Sequence, residues 1–465
     1  MLRAPLFLAA VSLLVGCGRV GFTAVLDGSA SDAGGAFDAG LSPDAAAADG
    51  ALTDGPPGAD AGDADDAGDA GPACVGDFLV DSSDDDLSMS QDCRGAGCSL
   101  RSAVAQANLR SGASSTICLA DALSILLSTE ISVSKDVTIS GRRTPVCGLG
   151  SDRLFVVVGG GALRLRDLTV CHGRVVDEAG AAVWVQDGTL DTDGVVFDDN
   201  VVMTTTTYQE GGAVRTEASG RLALRRTRFT NNRVDTTSGY ARGGAIAANA
   251  GLSIDECAFV NNHATDVGGA LFIASPGVDV AIARSLFASN GAARGGAIDI
   301  NCAATGTIAV ENSTFAGNAS TDGVTGIIFV CGSQTLHLAY CTFLGSGSAL
   351  VTLVAAGSAV EWLADAIDAG SNPLCTGIGT GSSLGFNVAS ADDAICALSA
   401  TGDRVVAPGL APLADNGGAT ETAALSMSSA AIDAVAAGAS CPATDQRGAA
   451  RPVRARCDSG AFEAP

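Results

Sequence analysis

The chain is poor in lysine, histidine and aromatic side chains. Lys135 is its single lysine, His172, His263 and His337 are its only histidines, and Phe, Trp and Tyr together make up 4% of 465 residues. So few aromatics beside 60 glycines argue against an ordinary helical or doubly wound globule. No Cys-x-x-Cys pair or Cys/His cluster has zinc spacing, so no metal and no cofactor is expected. Basic residues number 26 against 51 acidic ones, a net charge of −25. That balance disfavours nucleic acid and anionic membrane surfaces as partners.

What is present begins with an export signal. Residues 1–16 read as a signal peptide: Arg3 supplies the positive start and residues 6–15 a short apolar run, too short to span a bilayer as a mature helix. The run ends Leu14-Val15-Gly16-Cys17, which resembles a bacterial lipobox. The resemblance implies cleavage before Cys17 and lipidation of its thiol, with the envelope as partner through that lipid. Gly18 at the next position, where Asp would favour inner-membrane retention, implies the outer membrane or cell surface. Residues 17–73 form an Ala/Asp/Gly-rich linker, with eleven Asp between Asp27 and Asp69 and no basic residue after Arg19. Such a segment is expected to be disordered and extended by its own charge, a stalk lifting the folded part off the membrane.

Fourteen cysteines remain after Cys17. With an export signal they read as disulfides. Local candidates are Cys93 with Cys98, Cys118 with Cys147, Cys375 with Cys396 and Cys441 with Cys457.

The central signal is a repeat. Phe is followed three residues later by Asn at Phe197/Asn200, Phe229/Asn232, Phe259/Asn262, Phe287/Asn290 and Phe315/Asn318, and in decayed form at Phe343/Ser346. Successive Phe positions are 32, 30, 28, 28 and 28 apart. Between them Gly-Gly-Ala-aliphatic recurs at Gly211, Gly243, Gly268 and Gly295. A fixed period of this length means stacked units. With the Gly-Gly-Ala phrases aligned, Val183/Val185, Val214/Thr216, Ile246/Ala248, Leu271/Ile273, Ile298/Ile300, Ile328/Val330 and Leu350/Thr352 alternate by two and should face the core. Phe points inward and Asn sits at the turn, where an amide tolerates a left-handed backbone and can join a ladder. The Gly pair permits tight re-entry.

The unit resembles the repeats of polymorphic outer-membrane proteins and the wider pectin-lyase-like right-handed parallel β-helices. The fold expected is all-β: a right-handed parallel β-helix with its N-terminal cap over 74–400, the solenoid from 115 to 400 making about ten coils and about 50 Å at ~4.8 Å per rung, preferred to a β-propeller because blades need longer repeats. Longer turns at 201–210 and 233–242 account for the two wider spacings; insertions of this kind often map to a binding face. Ahead of the repeats, residues 98–108 (CSLRSAVAQAN) place Leu100, Ala103, Val104 and Ala107 at helical spacing behind Ser99. This resembles the CSLREA segment of secreted bacterial β-helix proteins and implies a helix plugging the first coil. Ser102 stands where that family has Glu, which removes the acidic half of a capping box. Behind the repeats come Gly385-Phe386-Asn387, Pro412-Leu413-Ala414-Asp415-Asn416-Gly417-Gly418, Asp445-Gln446-Arg447-Gly448 and Cys457-Asp458-Ser459-Gly460-Ala461-Phe462-Glu463. They resemble the choice-of-anchor Q domain of bacterial surface proteins. Residues 401–465 are read as a closing segment whose polar residues form buried Asp–Arg pairs.

The outward column beside each Gly-Gly-Ala reads Trp184, Arg215, Ala247, Phe272, Asp299, Phe329, Val351. Polysaccharide-processing β-helix enzymes need two or three carboxylates, or calcium-binding acids with an Arg or Lys base, gathered on one face of neighbouring coils, and only Asp299 is acidic. Asp198-Asp199 share one turn, and Cys171-His172-Gly173 resembles the galacturonase His-Gly pair without its companion phrases. No catalytic residue is assigned. Trp184, Arg215, Phe272, Asp299 and Phe329 are instead a candidate surface for a glycan or protein ligand; a long turn folding over the aromatics is the competing reading. The function expected is a non-catalytic lipid-anchored surface protein mediating adhesion or envelope and glycan contact. The alternative is a polysaccharide lyase or glycoside hydrolase.

Overall fold

The computed structural model describes residues 74–465 apart from 86–92, 94, 113, 151, 206–207, 275–278, 346 and 440. The signal peptide, Cys17, the linker and Ser346 lie outside the described residues. The chain winds into a parallel β-solenoid of about 9 turns.

Three strand runs recur in each regular coil. In the coil after Gly268 they are Leu271–Ile273, Val280–Ala283 and Leu286–Ala288, and each pairs in parallel with its counterpart in the next coil, Ile298–Ile300, Ile308–Glu311 and Thr314–Ala316. In two coils the first two runs are continuous, as Val183–Asp193 and Val214–Arg225. A fourth run, present from Arg174–Val176 to Ala319–Ser320, forms a second parallel sheet. The two long turns enlarge it. Val201–Thr204 with Tyr208–Glu210, and Arg233–Thr236 with Tyr240–Arg242, go out and return as arms that pack through Val202, Val234 and Ala241.

Period-two alternation fills the interior as expected. Val183, Val214, Ile246, Leu271, Ile298 and Ile328 stack in register and are all buried. The next member is Val351, not Leu350: Ile328 pairs with Val351 and Phe329 with Thr352. The expected register there is one residue off, so Val351 and Leu353 point inward and Thr352 takes the outward place. Leu350 is buried as well, so two adjacent apolar residues compete for one inward position, and a one-residue slip exchanges the faces.

The Phe column stacks from Phe197 through Phe343 with ring centroids 4.8–5.0 Å apart and planes within 9° of parallel. That spacing is the rung spacing itself, so each ring occupies the same rotamer as its neighbour. Trp362 ends the stack edge-on at 5.8 Å. Beside it runs a buried amide ladder. Asn200, Asn232, Asn262 and Asn290 each donate from Nδ2 to Oδ1 of the next Asn at 2.9–3.0 Å. Asn262 Nδ2 also reaches the Phe229 carbonyl at 2.9 Å, and its Oδ1 accepts the Asn232 backbone N–H at 3.0 Å. The left-handed turn residue is the one before the Asn: Asp199, Asn231, Asn261 and Ser289 have φ of 47–58°. The column Asn is therefore there for its two-sided amide, not for its backbone tolerance.

The Gly pair divides its labour. Gly243 has φ +67°, a region that favours glycine. A Cβ on Gly244 would run into the Gly269 carbonyl of the next coil. Charge is layered along the same axis. Residues 183–213 hold six acidic groups and no basic one, 214–245 hold seven arginines and two acids, and 246–270 hold three acids and neither Lys nor Arg. Ion pairs join the layers: Arg226 to Asp193 at 2.6 Å, Arg242 to Glu210 at 3.2 Å and Arg225 to Glu256 at 3.5 Å.

Helix Leu100–Leu109 covers the first coils, burying Leu100, Ala103, Val104 and Ala107. Ser99 caps it, accepting the Ser102 N–H at 3.2 Å. Ser102 is itself buried and its hydroxyl meets Ser99 Oγ at 3.0 Å, so it takes part in the cap through a hydroxyl rather than a carboxylate. At the other end 390–403 form the closing turn. Asp393 accepts the N–H groups of Cys375, Ile395 and Cys396.

The segment beyond it first adds a last rung to the stack, Arg404–Val405 pairing in parallel with Val388–Ala389. It then runs back along the flank of the Phe strands as a strap. Gln446 accepts from Thr314 Oγ1 at 2.6 Å, Ala461 N donates to Thr342 Oγ1 at 2.8 Å, Gly460 N to the Ala364 carbonyl at 2.8 Å and Ser459 Oγ to the Phe386 carbonyl at 2.6 Å. Its own core is the expected Asp–Arg kind. Asp445 is fully buried, pairs with Arg447 at 2.6 Å and accepts the N–H groups of Arg447, Ala449 and Glu463. Arg451 lies over the Tyr340 ring at 5.0 Å.

Six disulfides join Cys74–Cys118, Cys93–Cys98, Cys147–Cys171, Cys302–Cys331, Cys375–Cys396 and Cys441–Cys457. Cys118 and Cys147 are not partners. Cys147 sits directly beside Cys171 in the ladder, and stacking decides the pairing over sequence distance. Cys257 and Cys341 remain as buried free thiols.

Candidate functional site

The outward column has the predicted order from Trp184 through Arg215, Ala247, Phe272 and Asp299 to Phe329. It does not stand proud of the sheet. Phe272 is 1% exposed, Asp299 0% and Phe329 5%, while Trp184 and Arg215 are half-buried. The second sheet and the turn that carries Arg153 fold over them, and the covering groups are mostly arginines. Arg153 lies over Trp184 at 4.8 Å, Arg242 over Phe272 at 5.1 Å and Arg294 over Phe329 at 4.1 Å. Contacts of this kind are favourable where the cation is partly desolvated.

Each cation is also balanced. Arg294 pairs with Asp299 at 2.8 Å, Arg242 with Glu210 at 3.2 Å, and Arg215 with Glu217 at 3.1 Å. Trp184 Nε1 donates to Glu217 at 3.1 Å. The candidate residues therefore form one continuous layer of arginine, aromatic ring and carboxylate between two sheets. Burial raises the Asp299 carboxyl above its ordinary range against the pull of Arg294.

The other acid candidates are occupied in the same way. Asp199 holds Arg174 at 3.0 Å, and Asp198 accepts Asn231 Nδ2 at 3.1 Å. Cys147, Cys171 and His172 bring their donor atoms within 4.8 Å of one another, yet the two sulfurs are bonded to each other. A cleft of about 240 Å³ lies where the strap crosses the coils, lined by Asp255, Arg284, Glu311, Asn312 and Thr444. Arg284 already holds Asp255, its Nε at 3.0 Å.

Two residues escaped the sequence reading. Tyr208 and Tyr240 are the exposed aromatic side chains among the described residues, and they pair in register on adjacent rungs of the second sheet. Their signal is visible in the chain: each lies three residues before a Gly-Gly, in one of the two long turns. The position just before the Gly-Gly at 211, 243 and 295 supplies Glu210, Arg242 and Arg294, and before that at 268 it supplies Val267, which packs on Ala247 and Phe272. No described helix is long and apolar enough to cross a membrane. No family model, curated protein or solved structure matches the chain.

Proposed function

We propose that this chain is a non-catalytic, lipid-anchored surface protein whose β-solenoid makes adhesive contact with the envelope or with glycan. One observation carries the reading: the two coils that depart from the repeat length are the two that present exposed aromatic rings, Tyr208 and Tyr240. Asp299, the single acid of the outward column, is engaged with Arg294, which favours contact over the alternative of polysaccharide cleavage. The lipobox-like Leu14-Val15-Gly16-Cys17 supports the anchor.

Two measurements test this. Cys17→Ser should move the full chain from the membrane to the soluble fraction of a Gram-negative host; unchanged membrane retention refutes lipid anchoring at Cys17. Incubation with a panel of polysaccharides should release neither reducing ends nor unsaturated products. Turnover that persists in purified protein would reinstate the enzyme.

A further inference from the structure

The two tyrosines are placed by the long turns. Tyr208–Glu210 and Tyr240–Arg242 are short parallel strands in register, Tyr208 beside Tyr240 and Glu210 beside Arg242. The rings are 55% and 58% exposed. Arg242 lies 5.0 Å from the Tyr208 ring centroid and 5.9 Å from that of Tyr240. Glu210 balances that guanidinium, so the rings are braced at their base by an already compensated charge.

This chemistry narrows the occupant. A polyanion would need cations left free, and the nearest arginine is paired. A protein hot spot is a desolvated pocket, whereas these rings stand on an open sheet face. A neutral sugar fits: its C–H face stacks on an aromatic ring and needs no free cation. We propose that Tyr208 and Tyr240 form a stacking platform for an extended neutral polysaccharide. Adjacent rungs are ~4.8 Å apart, so a sugar chain lying along the solenoid axis passes both tyrosines. The proposal rests on the contact reading above and names its face and its ligand.

The test uses the full chain with microcrystalline cellulose and chitin as neutral probes and polygalacturonate as the anionic one. Wild type should be retained on at least one neutral polymer. Tyr208→Ala/Tyr240→Ala should weaken that retention by roughly tenfold or more, while Tyr208→Phe/Tyr240→Phe and the remote Arg228→Ser keep it. Equal retention with and without the tyrosines, binding to polygalacturonate alone, or no binding to either neutral polymer overturns the platform. Pelleting with intact bacterial envelopes separates the two proposals. Envelope contact that survives the double alanine variant refutes the platform and leaves the contact reading standing; loss of all envelope and glycan contact in wild type refutes both.

Discussion

At the scale of single residues, the polar columns are specified as tightly as the apolar ones. Asn262 satisfies groups on both neighbouring coils through one amide. Asn262→Ala strips partners from buried amides above and below, and should cost about 2–4 kcal/mol. Because a solenoid opens locally, the loss should appear as faster hydrogen exchange at 229–234 and 287–292 rather than as a uniform change. A second column lies two residues before each Phe-strand centre. Ser285 Oγ and Ser313 Oγ accept amides from the preceding coil at 3.1 Å, and Asp365 Oδ1 accepts the Cys341 N–H at 2.7 Å. Burial pushes the Asp365 carboxyl well above the usual carboxylate range, with Asp403 adding like charge. The folded chain therefore holds a proton that the unfolded chain releases. Stability from this group is present at low pH and is lost as pH rises through the folded-state pKa. Asp365→Ser copies the serines of the column. Denaturation of the wild type should become progressively easier relative to this variant as pH rises from 4 to 8; a constant difference would show that Asp365 does not titrate in that window. Cys257 and Cys341 belong to the same column. Burial raises the Cys257 thiol to about 12 and the Cys341 thiol well above its ordinary value, so neither is a nucleophile in the fold. A thiol reagent with peptide mapping should label both in denaturant and neither in native protein.

At the scale of elements, the helix and the turns finish what the repeat begins. Leu100–Leu109 covers the open end of the core. Val104→Asp would place a carboxylate against it, at a cost of several kcal/mol. The expected result is rapid exchange in the strands at 115–119 and 131–133 with the later coils unaffected. The periodic elements were legible in the chain because each coil repeats the same physical demands: an inward aliphatic pair, a Phe, an Asn and two glycines. What escaped was set between coils. The slip at Leu350 depends on which of two apolar neighbours meets Ile328, and the Cys147–Cys171 pair depends on which coil lies above which. The outward aromatics looked available because Arg242 and Arg294 lie a whole coil before the rings they cover, Phe272 and Phe329, where period-two alternation says nothing. Tyr208 and Tyr240 could have been found by asking what the longer turns add at a fixed offset from Gly-Gly.

At the scale of the whole molecule, layered charge complements stacked shape. An acidic coil, an arginine-rich coil and another acidic coil can pair only in sequence, which penalises slipping the stack by one unit. The Phe column alone would not, since every rung presents the same ring. Lowering the charge contrast, as in Arg225→Gln/Arg226→Gln, should cost no more than about 1 kcal/mol per exposed pair, but should raise the yield of misfolded material on refolding.

The strap changes how load enters the structure. A chain that ended at its last coil could be peeled from the tip, one rung at a time. Here a pull applied beyond Ala461 meets Thr342 and Ala364 first, while Gln446 grips Thr314. Force is delivered sideways, across several coils at once, as shear. The molecule is thus braced like a stack held by a side clamp, and it should yield in one large rupture where a bare stack would unravel in steps.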